Sequence, residues 1–236
     1  MKIALVGYGK MGKAIEQIAV ERGHEIVLKI DRSNQELISN IQDADAVIEM
    51  TGPESAPSNI LACLEKGVPV VSGSTGWLDH FQEIVDCCKS VDGSFLYASN
   101  FSVGVNIFFQ LNEILASWMQ AHPDYIPMIE ETHHTEKKDA PSGTAITLAQ
   151  GILNSYPNLS GWNKGNGNPD ELAIISHRID PAPGTHVIRY NSIIDSIEIT
   201  HTANNRKGFA LGAVLAAEFI VDKRGVFSMK DVLKLN

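Results

Sequence analysis

The sequence predicts an α/β protein in two parts: a doubly wound parallel sheet, then an α+β domain with a mixed or antiparallel sheet. Three observations carry that reading. Short apolar runs alternate with helical stretches over the first hundred residues, the pattern of parallel strands joined by crossover helices. A glycine-rich turn closes the first of these runs. Beyond Asn100 several strand-like runs follow with few helices among them, which points to a mixed or antiparallel sheet.

Taken in order, Lys2 to Val6 is an apolar run ending in glycine, and Met11 to Arg22 sets Met11, Ala14, Ile15, Ile18 and Ala19 on one helical face until Gly23 stops it. Further strands are expected over Ile26 to Ile30, Ala46 to Met50, Val68 to Ser72 and Phe95 to Ala98, with helices over Ser58 to Lys66 and Asp79 to Lys89. From Phe101 the chain enters a long helix with Ile107, Phe108, Leu111, Ile114, Leu115 and Trp118 on an apolar side. Ile126 to Glu131, Leu172 to His177, His186 to Tyr190 and Ile193 to Thr200 read as strands, and Thr144 to Ser155 and Gly208 to Val221 as helices. The Gly- and Asn-rich stretch Ser160 to Pro169 reads as a surface loop. A sheet face left uncovered by its own helices favours self-association.

Composition narrows the function. Of 236 residues, 44% are hydrophobic and 20% charged, which suits a globular chain and excludes a disordered or collagen-like one. A net charge of −9 argues against a nucleic-acid partner, because a phosphate-backbone binder carries the opposite bias. Cys63, Cys87 and Cys88 offer neither a disulfide framework nor metal-ligand spacing and fit a reduced, cytoplasmic protein. The apolar run at the start is too short for a signal peptide, and Phe209 to Val221, interrupted by Glu218, falls short of the ~20 residues of a membrane span. No membrane partner is expected.

The first turn reads Gly7-Tyr8-Gly9-Lys10-Met11-Gly12, a G-x-G-x-x-G pattern set between a strand and a helix. The first glycine permits the turn, the second lets a diphosphate approach, the third lets helix and strand pack, and the helix dipole faces the anion. The first domain is therefore of the Rossmann type and dinucleotide-binding. Asp31, at the end of the second strand, stands near the spacing of the acid that binds an adenosine ribose, while Arg32 beside it suits a 2′-phosphate, so the cofactor is NADH or NADPH. Gly73-Ser74-Thr75-Gly76 and Ser99-Asn100-Phe101 follow the fourth and fifth strands, at the sheet edge where ligands bind.

The segment Glu130-Glu131-Thr132-His133-His134-Thr135-Glu136-Lys137-Lys138-Asp139-Ala140-Pro141-Ser142-Gly143-Thr144-Ala145 is unusually polar. Pro141 favours a loop closing onto a helix that starts near Ser142. The N–H groups of a helix start, joined by the Ser142 and Thr144 hydroxyls, make a socket for a carboxylate. His133 and His134 can donate protons near neutral pH, and Lys137 supplies a positive charge or a proton. Ser142 also reads as a plain helix cap, Asp139 as a loop brace and the histidine pair as surface residues. No metal is expected, since no ligand spacing is present.

The run His133-His134-x-x-Lys137-x-Asp139-x-Pro141-Ser142-Gly143-Thr144-Ala145 resembles the signature of the dihydrodipicolinate reductases, now called 4-hydroxy-tetrahydrodipicolinate reductases, of lysine and diaminopimelate biosynthesis. The resemblance extends over nearly the whole chain, through the Gly7 to Gly12 turn, Gly73 to Gly76, Asn100 to Asn106, and Ile197 to His201 leading through Arg206 to Phe209 to Ala213. It implies an NAD(P)H-dependent oxidoreductase that reduces 4-hydroxy-tetrahydrodipicolinate, a small dicarboxylate, to tetrahydrodipicolinate. His133 would be the general acid/base and Lys137 the proton donor, with His134, Ser142, Gly143 and Thr144 holding the substrate. Cofactor contacts would come from Gly7, Tyr8, Gly9, Lys10, Met11, Gly12, Asp31, Arg32, Gly73, Ser74, Thr75, Ala98, Ser99, Asn100 and Phe101.

The resemblance also implies a homotetramer assembled through the sheets of the substrate domains. A dinucleotide domain over 1–101, completed by 207–236, would enclose a substrate-binding and oligomerisation domain over 102–206. Four departures stand out. Met128 occupies a position where the family usually has Glu, the span between Asp31 and Ala46 is short, Ser74 replaces a common threonine, and Pro181 and Pro183 interrupt a Gly-rich pattern.

Overall fold

The computed structural model describes residues 1–165, 168–205 and 207–235, and the chain divides into two compact units: Met1–Val103 with Lys207–Asn236, and Gly104–Arg206. Arg206 and residues 166 and 167 of the Gly- and Asn-rich stretch lie outside the described residues.

In unit 1 the apolar runs become β1 (Lys2–Val6), β2 (Glu25–Ile30), β3 (Ala46–Glu49), β4 (Val70–Ser72) and β5 (Ser94–Tyr97). They alternate with α1 (Lys10–Glu21), α2 (Ala56–Glu65) and α3 (Phe81–Ser90), while Gln35–Asp43 between β2 and β3 is a kinked 3₁₀ segment and not a full helix. α4 (Val103–Met119) then leads out of the unit. The chain returns after residue 206 as α6 (Lys207–Ile220), β11 (Gly225–Phe227) and α7 (Met229–Leu233). The sheet order is β11-β5-β4-β3-β1-β2, with every pair parallel.

Burial explains the doubly wound form. Ile3, Leu5, Ile48, Val71 and Leu96 face α1 and α6, whereas Ala4, Val6, Val47, Val70 and Phe95 face α2 and α3. Strands buried on both faces read as continuous apolar runs, which is why the sequence marks them so clearly. β11 and α7 left no such mark: three residues of strand and five of helix are too short for a periodic signal.

Unit 2 holds β6 (Ile126–His133), α5 (Gly143–Leu153), β7 (Gly161–Lys164), β8 (Glu171–Arg178), β9 (Thr185–Asn191) and β10 (Ser196–Thr202). Its sheet runs β10-β9-β6-β8-β7; β6, β7 and β8 are mutually parallel where they pair, and β9 is antiparallel to both β6 and β10. The fold class is thus the expected one, with a mixed second sheet. One face is covered, as Ile129, Leu172, Ile174, Ile188 and Tyr190 pack with Phe108, Ala116, Leu148 and Ile152 of α4 and α5. The opposite face carries Glu130 and Glu198, both ion-paired to Arg189 at 2.9 and 2.6 Å.

Three expectations are corrected here. Part of the Ser160 to Pro169 stretch is strand β7, added at the edge beside β8, where one neighbour suffices and polar composition is tolerated. The last strand begins at Ser196 and not Ile193, because residues 192–195 form a turn in which Ser192 Oγ accepts the N–H groups of Ile194 and Asp195; Ile193 and Ile194 are fully exposed or nearly so. On α4 the buried side is Val105, Phe108, Asn112, Ala116 and Met119, leaving Ile107, Leu111 and Trp118 exposed. Asn112 belongs to the buried side because its Nδ2 donates to the Leu148 carbonyl at 2.9 Å, a polar tie that an apolar pattern cannot reveal. No helix of the described residues is long and apolar enough to cross a membrane.

Candidate active site

In unit 1 the carboxyl ends of β1, β2 and β3 open on a cleft of about 1090 Å³, lined among others by Gly7, Tyr8, Gly9, Asp31, Arg32, Thr51 and Gly52. The glycine turn fits a diphosphate by construction. Gly7 has φ +102°, and a Cβ there would meet the Met50 carbonyl oxygen at 2.3 Å; on Gly12 it would meet the Gly7 oxygen at 2.6 Å. Only a chain without side chains at both positions brings the start of α1 this close to β1 and leaves its N–H groups facing the cleft. Lys10 at the start of α1 is exposed, and Met11 packs on the core below. Tyr8 donates a short hydrogen bond to Glu16, which also pairs with Lys29 at 2.5 Å. Asp31 follows the last residue of β2, with its Oδ1 accepting from Ser33 Oγ at 2.6 Å and Ser33 N at 2.8 Å, bonds that hold its carboxyl below the ordinary range. Arg32 beside it is exposed.

The remaining candidates of this unit separate into two groups. Thr75 and Ser99 are exposed on the loops after β4 and β5, while Ser74, Ala98 and Phe101 are buried beneath them, and Gly73 lies against Met50 and Phe101. Asn100 Oδ1 accepts from Ser102 N and braces the second loop. Beneath both the cleft and the β4 loop sits a residue that sequence reasoning missed. Glu49, fully buried, accepts from Ser72 Oγ at 2.6 Å, Ser74 Oγ at 2.8 Å and Thr51 N at 2.8 Å, with a further short bond from Thr51 Oγ1. A carboxylate in an apolar sheet is tolerated only when its lone pairs are met, and here four donors from three residues meet them.

In unit 2 the period of β6 sets Glu131 and His133 on one buried face. β9 runs beside it with His186 opposite Glu131, and β8 brings Arg178 opposite His133. Glu131 is the hub. Its oxygens accept from Ser142 N at 3.1 Å each, Arg178 Nη2 lies at 3.2 Å, His133 Nδ1 at 3.5 Å and His186 Nε2 at 3.7 Å. Burial pulls the Glu131 carboxyl upward, but Ser142, Ser176 and the charge of His133 together outweigh it and the pKa ends below the usual value. Burial drives both histidines the other way: His133 is lowered, with Glu131 opposing, and His186 is pushed down to about 4.

Glu131, His133 and His186 are also the metal-ligand cluster found among the described residues. Arg178 already supplies the cation beside this carboxylate, so a metal there would meet like charge. The residues do not fit a metal.

The loop from His134 to Ser142 carries the exposed chemistry. Lys137 Nζ is 2.9 Å from both oxygens of Asp139, and Arg178 pins the same loop through the Lys137 and Asp139 carbonyls. His134 is half-buried. Ser142 caps α5, its Oγ accepting from Ala145 N at 3.2 Å, so both of its polar groups turn inward, to Glu131, to Ala145 and to His186 at 3.1 Å. Gly143, exposed, and Thr144, half-buried, form the accessible helix start. This arrangement presents the Lys137 ammonium and a helix N-terminus beside a buried imidazole, which suits an anion that must also be protonated.

Sequence reasoning passed over Glu131, Arg178 and His186. Glu131 was within reach, because a strand extended two residues to His133 puts both on one face. Arg178 and His186 come from pairings across the sheet, which one sequence does not disclose.

Comparison with known proteins agrees with this architecture. Residues 1–101 match the family model "Dihydrodipicolinate reductase, N-terminus" and residues 104–233 match "Dihydrodipicolinate reductase, C-terminus". A 4-hydroxy-tetrahydrodipicolinate reductase of Christiangramia forsetii is 52% identical over 233 residues, 99% of this chain and 98% of the relative. One of Chromobacterium violaceum is 32% identical over 265 residues, again 99% and 98%. A dipicolinate-bound dihydrodipicolinate reductase from Paenisporosarcina sp. TG-14 shares the fold, with TM-score 0.78, 23% identity and 98% of both chains covered. With both halves matched and the likeness running end to end, the chain belongs to the dihydrodipicolinate reductase family.

Proposed function

We propose that the protein reduces 4-hydroxy-tetrahydrodipicolinate to tetrahydrodipicolinate with NADH or NADPH, in the cytoplasm and as a homotetramer. The observation that carries the reading is the Glu131 carboxylate, which accepts from the Ser142 N–H of the α5 cap and lies 3.5 Å from His133 Nδ1, so one buried anion stands beside both the acid/base group and the carboxylate socket. Membership of the reductase family supports the reaction, and the uncovered face of the second sheet supports the assembly.

The dinucleotide would be held by Gly7, Tyr8, Gly9, Lys10, Met11 and Gly12 at the diphosphate and by Asp31 and Arg32 at the adenosine. Gly73 to Thr75 and Ala98 to Phe101 serve its other end. When bound it supplies a hydride for the substrate ring. His134, Gly143 and Thr144 bind the substrate carboxylates, and Ser142 shapes that binding through the cap. Lys137 donates the proton that completes the reduction, once a substrate carboxylate competes with Asp139 for its ammonium. His133, kept largely neutral by burial, acts as acid/base against the same site. Binding energy spent on the two carboxylates orients the ring for transfer.

The test is the loss of reduced-nicotinamide absorbance with freshly prepared 4-hydroxy-tetrahydrodipicolinate, using NADH and NADPH in turn beside a blank without substrate. Substrate-dependent oxidation is expected and ranks the cofactors. Cofactor binding without any such oxidation overturns the assignment.

A further inference from the structure

His186 has no part in the reaction just described, yet it is only 5% exposed and lies in the polar interior of unit 2. Pairing opposite Glu131 across β6 and β9 puts its ring on the same face as that carboxylate and as His133, whose ring it meets edge-on at 5.0 Å. Among the described residues its side-chain hydrogen bond is Nε2 to Ser142 Oγ at 3.1 Å. That hydroxyl already accepts from Ala145 N, and of the two positions then left on it, one proton and one lone pair, the imidazole takes one. Ser142 is thereby held twice, by Glu131 at the backbone N–H and by His186 at the hydroxyl. The residues that follow, Gly143 and Thr144, take their direction from a cap held at both its backbone N–H and its hydroxyl.

We propose that His186 is a positioning residue for the substrate carboxylate, acting through Ser142 to set the start of α5. A buried imidazole costs desolvation that a leucine would not, so its place in this interior is explained by the bond it makes and not by packing alone. The inference rests on reading the α5 start as the dicarboxylate socket. His186→Leu removes the bond, His186→Asn carries its amide only as far as the Nδ1 position, and His186→Gln places an amide where Nε2 stood.

The test measures substrate KM and kcat, NADH dissociation, and dissociation of pyridine-2,6-dicarboxylate as an unreactive probe, for the intact protein and the three variants. His186→Leu and His186→Asn are expected to raise KM and weaken the probe about 10-fold with kcat within about 3-fold, a split that marks lost ground-state binding. NADH binding stays unchanged, and His186→Gln restores both values. If the Leu variant does not fold, the Asn and Gln pair decides alone. A fall in kcat at unchanged KM, or a Gln variant as impaired as Asn, overturns the proposal. Should the unmodified protein bind the probe but reduce nothing, the reductase reading fails while loss of probe binding in the variants still upholds His186. An unmodified protein that neither binds the probe nor reduces the substrate removes both; one that reduces the substrate without binding the probe leaves the KM and kcat values of the variants to decide on His186.

Discussion

The Lys137 ammonium sits 2.9 Å from each carboxylate oxygen of Asp139, two residues further along the same loop. Asp139 is well exposed and Lys137 only 24% so, which makes the pair a holder for the lysine more than a source of stability. Removing the ammonium should therefore leave the fold intact and strike the chemistry. Lys137→Ala is expected to lower kcat about 10²- to 10⁴-fold, the usual range for a lost proton donor. Cofactor titration should give the same dissociation constant as before; an undiminished kcat would show that the proton comes from elsewhere.

Glu49 predicts a stability effect. Glu49→Ala leaves the buried hydroxyls of Ser72 and Ser74 without their acceptor, at a cost of about 3 kcal/mol. Glu49→Gln keeps one carbonyl oxygen and should lose roughly half as much. Urea unfolding followed by circular dichroism measures both, and equal midpoints for the Ala variant and the unmodified chain would contradict the role given to the carboxylate.

Gly184 borders the His133 imidazole. Its φ of +154° is unfavourable for a side chain, and a Cβ would stand 3.2 Å from His133 Nε2. Gly184→Ala should lower kcat/KM for the substrate about 10-fold or more by displacing that nitrogen, with cofactor affinity unaltered. Steady-state kinetics at saturating dinucleotide tests it, and a variant with unmodified kcat/KM would mean that the imidazole has room to move.

Acid sensitivity follows from the buried histidines. His133 and His186 are both lowered from 6.5 in the folded chain, His186 to about 4, so the unfolded chain binds protons that the folded one refuses. Their contribution to stability is complete above about pH 6.5 and is lost as pH falls toward about 4. The Glu131 carboxyl, lowered on folding, adds a loss below its unfolded value of 4.5. Thermal melts between pH 7 and 4 should show Tm falling with acidity, and His186→Gln should flatten the upper part of that fall. A Tm independent of pH across this range would contradict the burial of neutral imidazoles.

Most of unit 1 was legible because each element declares itself locally: β1, β3 and β4 by unbroken apolar runs, α1 by its spacing, the cleft by three glycines between strand and helix. The loop from His134 to Ser142 was legible for the same reason, since Pro141 and Ser142 mark where a helix must start. What stayed hidden depends on pairing. Glu49 reads as one acid at the end of an apolar run, and only the parallel register beside β4 brings Ser72 under it. Arg178 and His186 reach the site by lying next to β6 on opposite sides, a fact of strand order. The exposed side of α4 was misread because Asn112 replaces an apolar residue on the buried side.

The core of unit 1 is closed by residues made after unit 2. Ala210, Ala213, Val214, Ile220 and Met229 fill the space against β1, β3 and β4, and β11 completes the sheet beside β5. During synthesis the amino-terminal sheet thus emerges with one apolar flank bare and must wait through the whole of Gly104–Arg206, which has its own core and can close first. The usual vectorial order, first part folded first, is inverted. The nascent chain has most need of a chaperone over the interval in which its second unit is already folded and its first is not.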